Sequence, residues 1–261
     1  MSVDFKDYNR KMDNTLAHLA DEFDAVRAGR ANARVLDHIT VEYYYPLTIL
    51  VVVFIINAMN LIDGIDGLAS GLSSVAMLYY FFIFILYGEY LYAVTAIATL
   101  GVLIPFFFYN VFGDPTKQKK IFMGDTGTLT IGILICFLSF KMSMMSYSEG
   151  DHLPNPLISA YSPLLVPCFD VIRVYMGRVR RGVNPFLPDK THIHHKLLAI
   201  GMPQRVAMVG ILMVSLLFTF CNIGLSYYLD ITCIVGIDAV VWTLANMWLS
   251  KKRDVVRCSR A

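Results

Sequence analysis

From about residue 45 onward, long apolar runs alternate with short polar loops. A helix that crosses a bilayer needs about 20 apolar residues, so each run predicts one membrane span. The predicted spans lie at about 44–59, 70–88, 91–110, 126–145, 157–177, 205–227 and 231–249. The first run is short, and it can span only if Tyr43, Tyr44 and Tyr45 lie at the membrane interface. The predicted fold class is all-α, a polytopic transmembrane helical bundle of about seven spans.

Polar residues dominate before position 45, and there the apolar residues recur at spacings of three and four. This period predicts one long amphipathic helix that precedes the bundle and needs a partner for its apolar stripe. The stripe consists of Phe5, Tyr8, Met12, Leu16, Leu19, Phe23 and Val26. A weak strand pattern follows at residues 39–43.

Composition strengthens the membrane interpretation. Hydrophobic residues make up 56% of the 261 positions and charged residues 16%, whereas a soluble domain carries about 25% charged residues. Lysine and arginine cluster after the third, the fifth and the last predicted span, and the loops at 87–90 and 146–155 contain neither. By the positive-inside rule the three basic loops face the cytoplasm, as does the loop between the first two spans. Residues 251–261 then form a basic cytoplasmic tail, and residues 1–44 would lie on the other side.

The first of these polar loops, at residues 57–71, carries two aspartates three positions apart. Asp63 and Asp66 share one face of a helical turn, and Asn60 lies on the same face. Carboxylates beside a membrane are costly to keep there, so they are candidates for function. The alternative is an Asx-rich turn that caps the next helix, but a cap needs only one aspartate.

The second polar loop combines a lysine cluster with Asp125 at the start of the fourth predicted span. Asp125 either caps that helix or supplies a hard oxygen ligand for Mg²⁺ at a helix N-terminus, where phosphate also binds well.

The third polar loop, at residues 178–196, contains three histidines within four positions. Their spacing does not match the usual zinc patterns and no cysteine lies nearby. With Arg180 and Arg181, they are better suited to donate hydrogen bonds to phosphate and sugar oxygens. The alternative for the arginines is that they only set the membrane orientation.

Taken together, the three loops resemble the polyprenyl-phosphate N-acetylhexosamine-1-phosphate transferases, also called glycosyltransferase family 4. The resemblance covers about residues 46–250 and rests on the segments 57–68, 122–127 and 184–195. It implies an enzyme, a glycosyl-1-phosphate transferase that moves a sugar-1-phosphate from a UDP-sugar to polyprenyl phosphate and releases UMP. The interrupted segment His192-Ile193-His194-His195 is similar to the branch that uses UDP-N-acetylglucosamine. The alternative branch transfers phospho-N-acetylmuramoyl-pentapeptide.

The resemblance also implies roles for individual residues. Asp125 would bind Mg²⁺ on the diphosphate, with Asn60 beside it and with Mn²⁺ as an alternative ion. Asp63 and Asp66 would be catalytic, because they would orient the nucleotide or metal or take part in proton transfer. The expected substrate-binding residues are Phe122, Arg180, Arg181, His192, His194 and His195, of which Phe122 would stack on uracil.

The implied setting is the bacterial inner membrane, with the active site on the cytoplasmic face of a multi-pass protein. Its partners would be a UDP-sugar, a polyprenyl phosphate lipid, the membrane and a second copy in a homodimer, without nucleic acid. The reaction would initiate the synthesis of a cell-envelope polysaccharide such as lipopolysaccharide or teichoic acid.

The chain also departs from the family pattern. The family has an earlier motif of two adjacent aspartates and three or four spans before the position of residue 46, and this sequence contains no such pair. Residues 1–44 resemble instead the start of ribosome recycling factor, in the stretches 12–31 and 39–44. We therefore expect a chimera with three parts: that fragment at 1–44, a transferase domain without its N-terminal spans at 45–250, and the tail. The alternatives are an inactive membrane remnant, a ribosome-binding module and a transporter.

Overall fold

The computed structural model describes residues 45–145, 155–184 and 191–260, and in these ranges it contains helices and no strands. The helices are α1 (Tyr45–Leu61), α2 (Leu68–Leu86), α3 (Tyr90–Phe112), α4 (Gly124–Ser143), α5 (Pro156–Tyr161), α6 (Leu165–Arg180), α7 (Ile193–Ala199), α8 (Gln204–Leu225) and α9 (Ile231–Arg260). Two 3₁₀ turns lie at Pro115–Lys117 and Ser162–Leu164. The predicted amphipathic helix and the strand pattern before residue 45 lie outside the described residues.

The all-α prediction is confirmed, and the membrane spans lie close to where the apolar runs placed them. Six helical segments of the described ranges are long and apolar enough to cross a bilayer. Five of them belong to α2, α3, α4, α8 and α9, and the sixth, Pro156–Arg180, combines α5, the second 3₁₀ turn and α6. Helix α1 is apolar but shorter, in line with its short apolar run. Helix α9 continues through the basic residues that were expected to form a tail.

The fifth span is interrupted because its sequence contains prolines. Asn155 caps α5 by accepting a hydrogen bond from the Leu157 backbone N–H at 3.0 Å, with Pro156 at the first helical position. Pro163 lies in the 3₁₀ turn, and Pro167 follows in the first turn of α6. Proline has no N–H to donate to a preceding carbonyl, so the regular helix gives way to a tighter turn here.

Two clusters of buried side chains hold the helices together. The first lies among α1–α5 around Tyr80 and Phe84, and the Tyr80 hydroxyl donates to the Ala160 carbonyl at 2.8 Å. The second joins the loop after α1 to α2, α7, α8 and α9, and it contains Ile62 and Ile65. Because these two isoleucines are buried and Asp63 and Asp66 are only partly buried, the second cluster fixes the loop that carries the aspartates.

A buried polar network also ties three of the spans. Asp238 of α9 is 2% exposed, and it accepts hydrogen bonds from the Tyr161 hydroxyl and the Asn222 amide, both at 2.9 Å. Asn222 also reaches the Ser162 hydroxyl at 3.3 Å. Burying a polar group is tolerable when it is hydrogen-bonded, so this network joins α5, α8 and α9 within the bundle.

Candidate functional site

The two carboxylate loops are joined by a residue that the sequence analysis did not select. Asn110, at the end of α3, is 6% exposed. Its Oδ1 accepts from the Gly67 backbone N–H at 2.6 Å, and its Nδ2 donates to the Ile121 carbonyl at 2.8 Å. Gly67 has a φ of +80°, a conformation that glycine adopts without strain. Asn110 therefore holds the first polar loop against the second.

Asn60 and Asp125 are in contact, as the resemblance to the family implied. The Asn60 Nδ2 donates to Asp125 Oδ1 at 3.1 Å and to the Thr128 hydroxyl at 2.8 Å. No side-chain hydrogen bond caps the start of α4 or of α2, so the capping alternative for Asp125 and for the first loop is wrong. Instead Asn60 orients the Asp125 carboxylate.

Asp63 lies within electrostatic range of Asp66 and of Asp125. Burial raises the pKa of the Asp63 carboxyl above its usual value, and the negative charges of Asp66 and then Asp125 raise it further. Asp66 Oδ2 accepts from the Lys120 ammonium at 2.5 Å. Since close carboxylates disfavour one another's charged form, a bound cation would relieve this repulsion.

These oxygens suit a hard cation, but they do not form a closed cage. Among the described residues, no three Asp, Glu, His or Cys side chains are placed to surround one ion. Mg²⁺ commonly takes only one or two carboxylates and completes its shell with water and substrate phosphates. Asp125, with Asn60 beside it, fits that pattern, and direct ligation by Asn60 stays a prediction.

The histidine segment docks on the first carboxylate loop. His194 in α7 is 1% exposed, and a Cβ added at Gly64 would lie only 2.0 Å from its Nε2. The His192 ring is parallel to the His194 ring, with centroids 5.8 Å apart, and His195 follows at 4.2 Å. Gly64 therefore leaves the space that the His194 ring fills between the two aspartates of the loop.

His194 is held neutral, which the sequence did not indicate. Neither of its ring nitrogens has a hydrogen-bond partner among the described residues. Burial lowers its pKa to about 4, and the neighbouring His195 and His192 act in the same direction. At neutral pH His194 thus packs as an uncharged ring, while His192 lies at the edge of α7 as its N-cap residue.

The predicted substrate-binding role of Arg180 and Arg181 stays a prediction. Arg180 and Arg181 are exposed at the end of α6, where Arg181 Nε donates to the Gly177 carbonyl of the same helix at 3.0 Å. Cations at a helix C-terminus complement its dipole. Arg173 of the same helix reaches the histidine segment, where its Nη2 donates to the Thr191 carbonyl at 2.6 Å. The intervening positions 185–190 lie outside the described residues.

Asp170 is the second functional candidate that the sequence analysis missed. It is fully buried, and its Oδ2 lies 2.8 Å from His192 Nδ1. Its Oδ1 accepts from Arg173 Nη2 at 2.7 Å. Asp170 lies within an apolar run that predicts a membrane span, so the search of the polar loops did not include it. An ionisable residue inside such a run, with an arginine three positions later, was the available signal.

Phe122 is 73% exposed, and it lies near Lys120, the residue that pairs with Asp66. The Lys120 ammonium is 5.6 Å from the ring centroid. An exposed aromatic face next to a charged loop can accept a stacked base, so the predicted contact with uracil is sterically open.

Known proteins match the part of the chain that contains the two carboxylate loops. Residues 23–143 match the model of glycosyl transferase family 4. That range contains both carboxylate loops, begins within the segment assigned to the ribosome-recycling-factor resemblance, and ends before the histidines. Among similar proteins are three named undecaprenyl-phosphate alpha-N-acetylglucosaminyl 1-phosphate transferase. The one from Escherichia coli (strain K12) is 31% identical over 140 residues, which are 54% of this chain and 36% of that protein.

The other two relatives give the same result. The protein from Pasteurella multocida is 34% identical over 113 residues, covering 43% of this chain and 30% of that protein. The protein from Haemophilus influenzae is 33% identical over 135 residues, covering 51% and 36%. The chain thus spans about a third of the length of these relatives. Residues 23–143, with both carboxylate loops, are thus the part of the chain that is similar to glycosyl transferase family 4.

Proposed function

We propose that the polar loops form the site of a glycosyl-1-phosphate transferase that uses UDP-N-acetylglucosamine and polyprenyl phosphate. The products would be a lipid-diphosphate sugar and UMP. One observation carries the proposal: Asn60, Asp63, Asp66 and Asp125 come together from two loops, and the histidine segment packs on the first of them. The names of the relatives support a polyprenyl acceptor.

The proposed reaction is a phosphoryl transfer. An oxygen of the lipid phosphate attacks the β-phosphorus of the UDP-sugar, where a new P–O bond forms. The bond from that phosphorus to the bridging oxygen breaks, and UMP leaves with the oxygen. A phosphate monoester loses its second proton near pH 6, so the attacking group is largely ionised at neutral pH. Catalysis then depends mainly on positioning and on neutralising charge.

The residues of the site divide this work. When bound at Asp125, Mg²⁺ would neutralise charge on the diphosphate. Asp63, whose carboxyl has a raised pKa, is the side chain best suited to accept a remaining proton from the lipid phosphate. Phe122 would stack on the uracil, and His192 and His195 would contact phosphate or sugar oxygens.

The proposed orientation places this site at the cytoplasmic face of a bacterial inner membrane. The end of the bundle that holds the carboxylate loops also carries the lysines after α3, the arginines that end α6 and the basic end of α9. By the positive-inside rule, that end faces the cytoplasm, where UDP-sugars are available to the site.

A transfer assay tests the proposal. The purified 261-residue chain in lipid nanodiscs would be incubated with radiolabelled UDP-N-acetylglucosamine, undecaprenyl phosphate and Mg²⁺, with the Escherichia coli relative as positive control. We expect a labelled lipid product and UMP, formed more slowly than by the relative because this sequence has no adjacent aspartate pair. If the chain neither forms product nor binds the UDP-sugar, the proposal is wrong.

The missing aspartate pair also favours a second candidate, a membrane protein that binds UDP-sugar and Mg²⁺ without turnover. Its signature would be saturable binding of UDP-N-acetylglucosamine with no lipid product. The binding would be lost in Asp125→Asn and retained in Asp114→Asn, because Asp114 is a partly exposed carboxylate of the same loop whose side-chain partners, among the described residues, are Thr116 and Lys117.

A further inference from the structure

Resting on the proposed function, we propose that Asp170 is a positioning residue: it fixes the His192 ring so that Nε2 faces the phosphate groups of the nucleotide sugar. Asp170 lies on α6, inside a membrane span, and contacts none of the carboxylates of the two loops among the described residues. It acts through His192.

The Asp170 carboxylate is held on both of its oxygens. Oδ2 accepts from His192 Nδ1 at 2.8 Å, and Oδ1 accepts from Arg173 Nη2 at 2.7 Å and Nε at 3.2 Å. The Ile193 backbone N–H lies 3.2 Å from each oxygen. With donors on every side and no exposed surface, this carboxylate has one orientation.

That orientation determines the tautomer of the His192 ring. An ionised carboxylate only accepts hydrogen bonds, so Nδ1 of His192 carries the proton. Within the described part of the chain, Nε2 has no hydrogen-bond partner. A buried carboxylate that bonds one nitrogen of a histidine fixes the other nitrogen toward its target, as in metal sites and catalytic triads.

The position of His192 also matters for the carboxylate loop. Its ring is parallel to that of His194, and His194 fills the space above Gly64, between Asp63 and Asp66. A series of direct contacts therefore runs from Asp170 through the two histidines to the loop. If Asp170 only neutralised the charge of Arg173, the effect of replacing Asp170 would not depend on His192.

Replacing Asp170 by asparagine distinguishes the two roles. The asparagine oxygen would face Arg173 and the Ile193 N–H, since both are donors, which leaves its NH₂ group toward His192 Nδ1. His192 would then carry its proton on Nε2. We expect the long-range ¹H–¹⁵N spectrum of the chain, with the signal assigned by its loss in His192→Gln, to show Nδ1 protonated in the parent and Nε2 protonated in Asp170→Asn. An unchanged tautomer would overturn the proposal, and this measurement requires no ligand.

A double-mutant cycle on the affinity for UDP-N-acetylglucosamine is the second test. Partners of this kind typically contribute about 10- to 100-fold, so we expect Asp170→Asn and His192→Gln each to weaken binding about 10-fold or more. The double variant should bind no worse than His192→Gln alone. Asp170→Glu, which keeps the charge but shifts the carboxylate, should also bind weakly.

The matched control is Asp238→Asn, which alters another buried carboxylate of the bundle that does not contact the histidines. Asp238→Asn should change the affinity for UDP-N-acetylglucosamine by the same factor in the parent and in His192→Gln. If Asp170→Asn weakens binding by the same factor with and without His192, the positioning role is refuted. If the parent does not bind the UDP-sugar at all, the proposed function fails, and the tautomer measurement alone decides the role of Asp170.

Discussion

Gly64→Ala is the sharpest perturbation of the contact between the histidine segment and the carboxylate loop. The new Cβ would lie 2.0 Å from His194 Nε2, 2.4 Å from Cε1 and 2.8 Å from Cδ2. All three distances are far below van der Waals contact, and the His194 ring is too deeply buried to move aside freely. Gly64 does not have a positive φ, so the strain comes from the clash and not from the backbone.

The expected magnitude follows from overpacking. Inserting a methyl group into a well-packed interior destabilises a protein by about 1–3 kcal/mol. For a chain of this size each kcal/mol lowers the unfolding temperature by about 2–4 °C. We expect thermal unfolding of the detergent-solubilised variant to show a loss in this range, together with weaker binding of UDP-N-acetylglucosamine because the loop with Asp63 is displaced.

Two further variants test whether the clash is responsible. Gly101 in α3 has no heavy atom near the position of an added Cβ, so Gly101→Ala should keep or raise the unfolding temperature, since alanine favours a helix by about 1 kcal/mol over glycine. His194→Ala removes the ring, so adding Gly64→Ala to it should have no further effect. An unfolding temperature of Gly64→Ala equal to that of the parent would refute the contact.

Three other predictions concern the same site. Asn110→Ala removes the partners of the buried Gly67 N–H and of the partly buried Ile121 carbonyl, so the free energy of unfolding, measured by denaturant titration, should fall by about 2 kcal/mol. Asn57→Ala removes one exposed bond within a helix and should change the free energy of unfolding by under about 0.5 kcal/mol. Asp125→Asn should lower the Mg²⁺ affinity measured by calorimetry in the presence of UDP-N-acetylglucosamine at least about 10-fold, and equal affinities would exclude a metal role. The pKa of His194 is lowered from 6.5 to about 4 in the folded chain, so the unfolded chain binds the proton first as the pH falls. This histidine therefore does not affect the free energy of unfolding above about pH 6.5 and reduces it as the pH falls toward 4. The drop in unfolding temperature between pH 7 and pH 5 should be smaller in His194→Ala than in the parent, and an equal drop would contradict a buried neutral ring.

Local pattern was sufficient to predict the spans and the carboxylate loops. Membrane helices follow from runs of apolar residues, because every backbone polar group must be satisfied within the bilayer. The spacing of Asn60, Asp63 and Asp66 predicted one helical turn, but α1 ends at Leu61 and both aspartates lie in the turns that follow. The resemblance to the family placed Asp125 beside Asn60, which the structure confirms. The assignments of Asp63 and Asp66 as catalytic and of Phe122 as a uracil contact stay predictions.

Tertiary contacts determined what the sequence could not indicate. Asp170 is 22 positions from His192, and Asn110 is 43 positions from Gly67. No local period connects residues so far apart. Arg180 and Arg181 lie exposed at the end of α6, and their substrate-binding role stays a prediction. The contact of Arg173 with the Thr191 carbonyl, 18 positions away, could not be read from the sequence. The resemblance of residues 1–44 to ribosome recycling factor also stays a prediction.

The central claim is that the two carboxylate loops form a Mg²⁺-dependent site for a UDP-sugar. Its most direct test is a titration of radiolabelled UDP-N-acetylglucosamine into the nanodisc-embedded chain, with Mg²⁺ and with EDTA, for the parent and for Asp125→Asn. The account predicts saturable binding by the parent that requires Mg²⁺ and is at least about 10-fold weaker in the variant. Binding that is unaffected by EDTA and by the loss of Asp125 would contradict it.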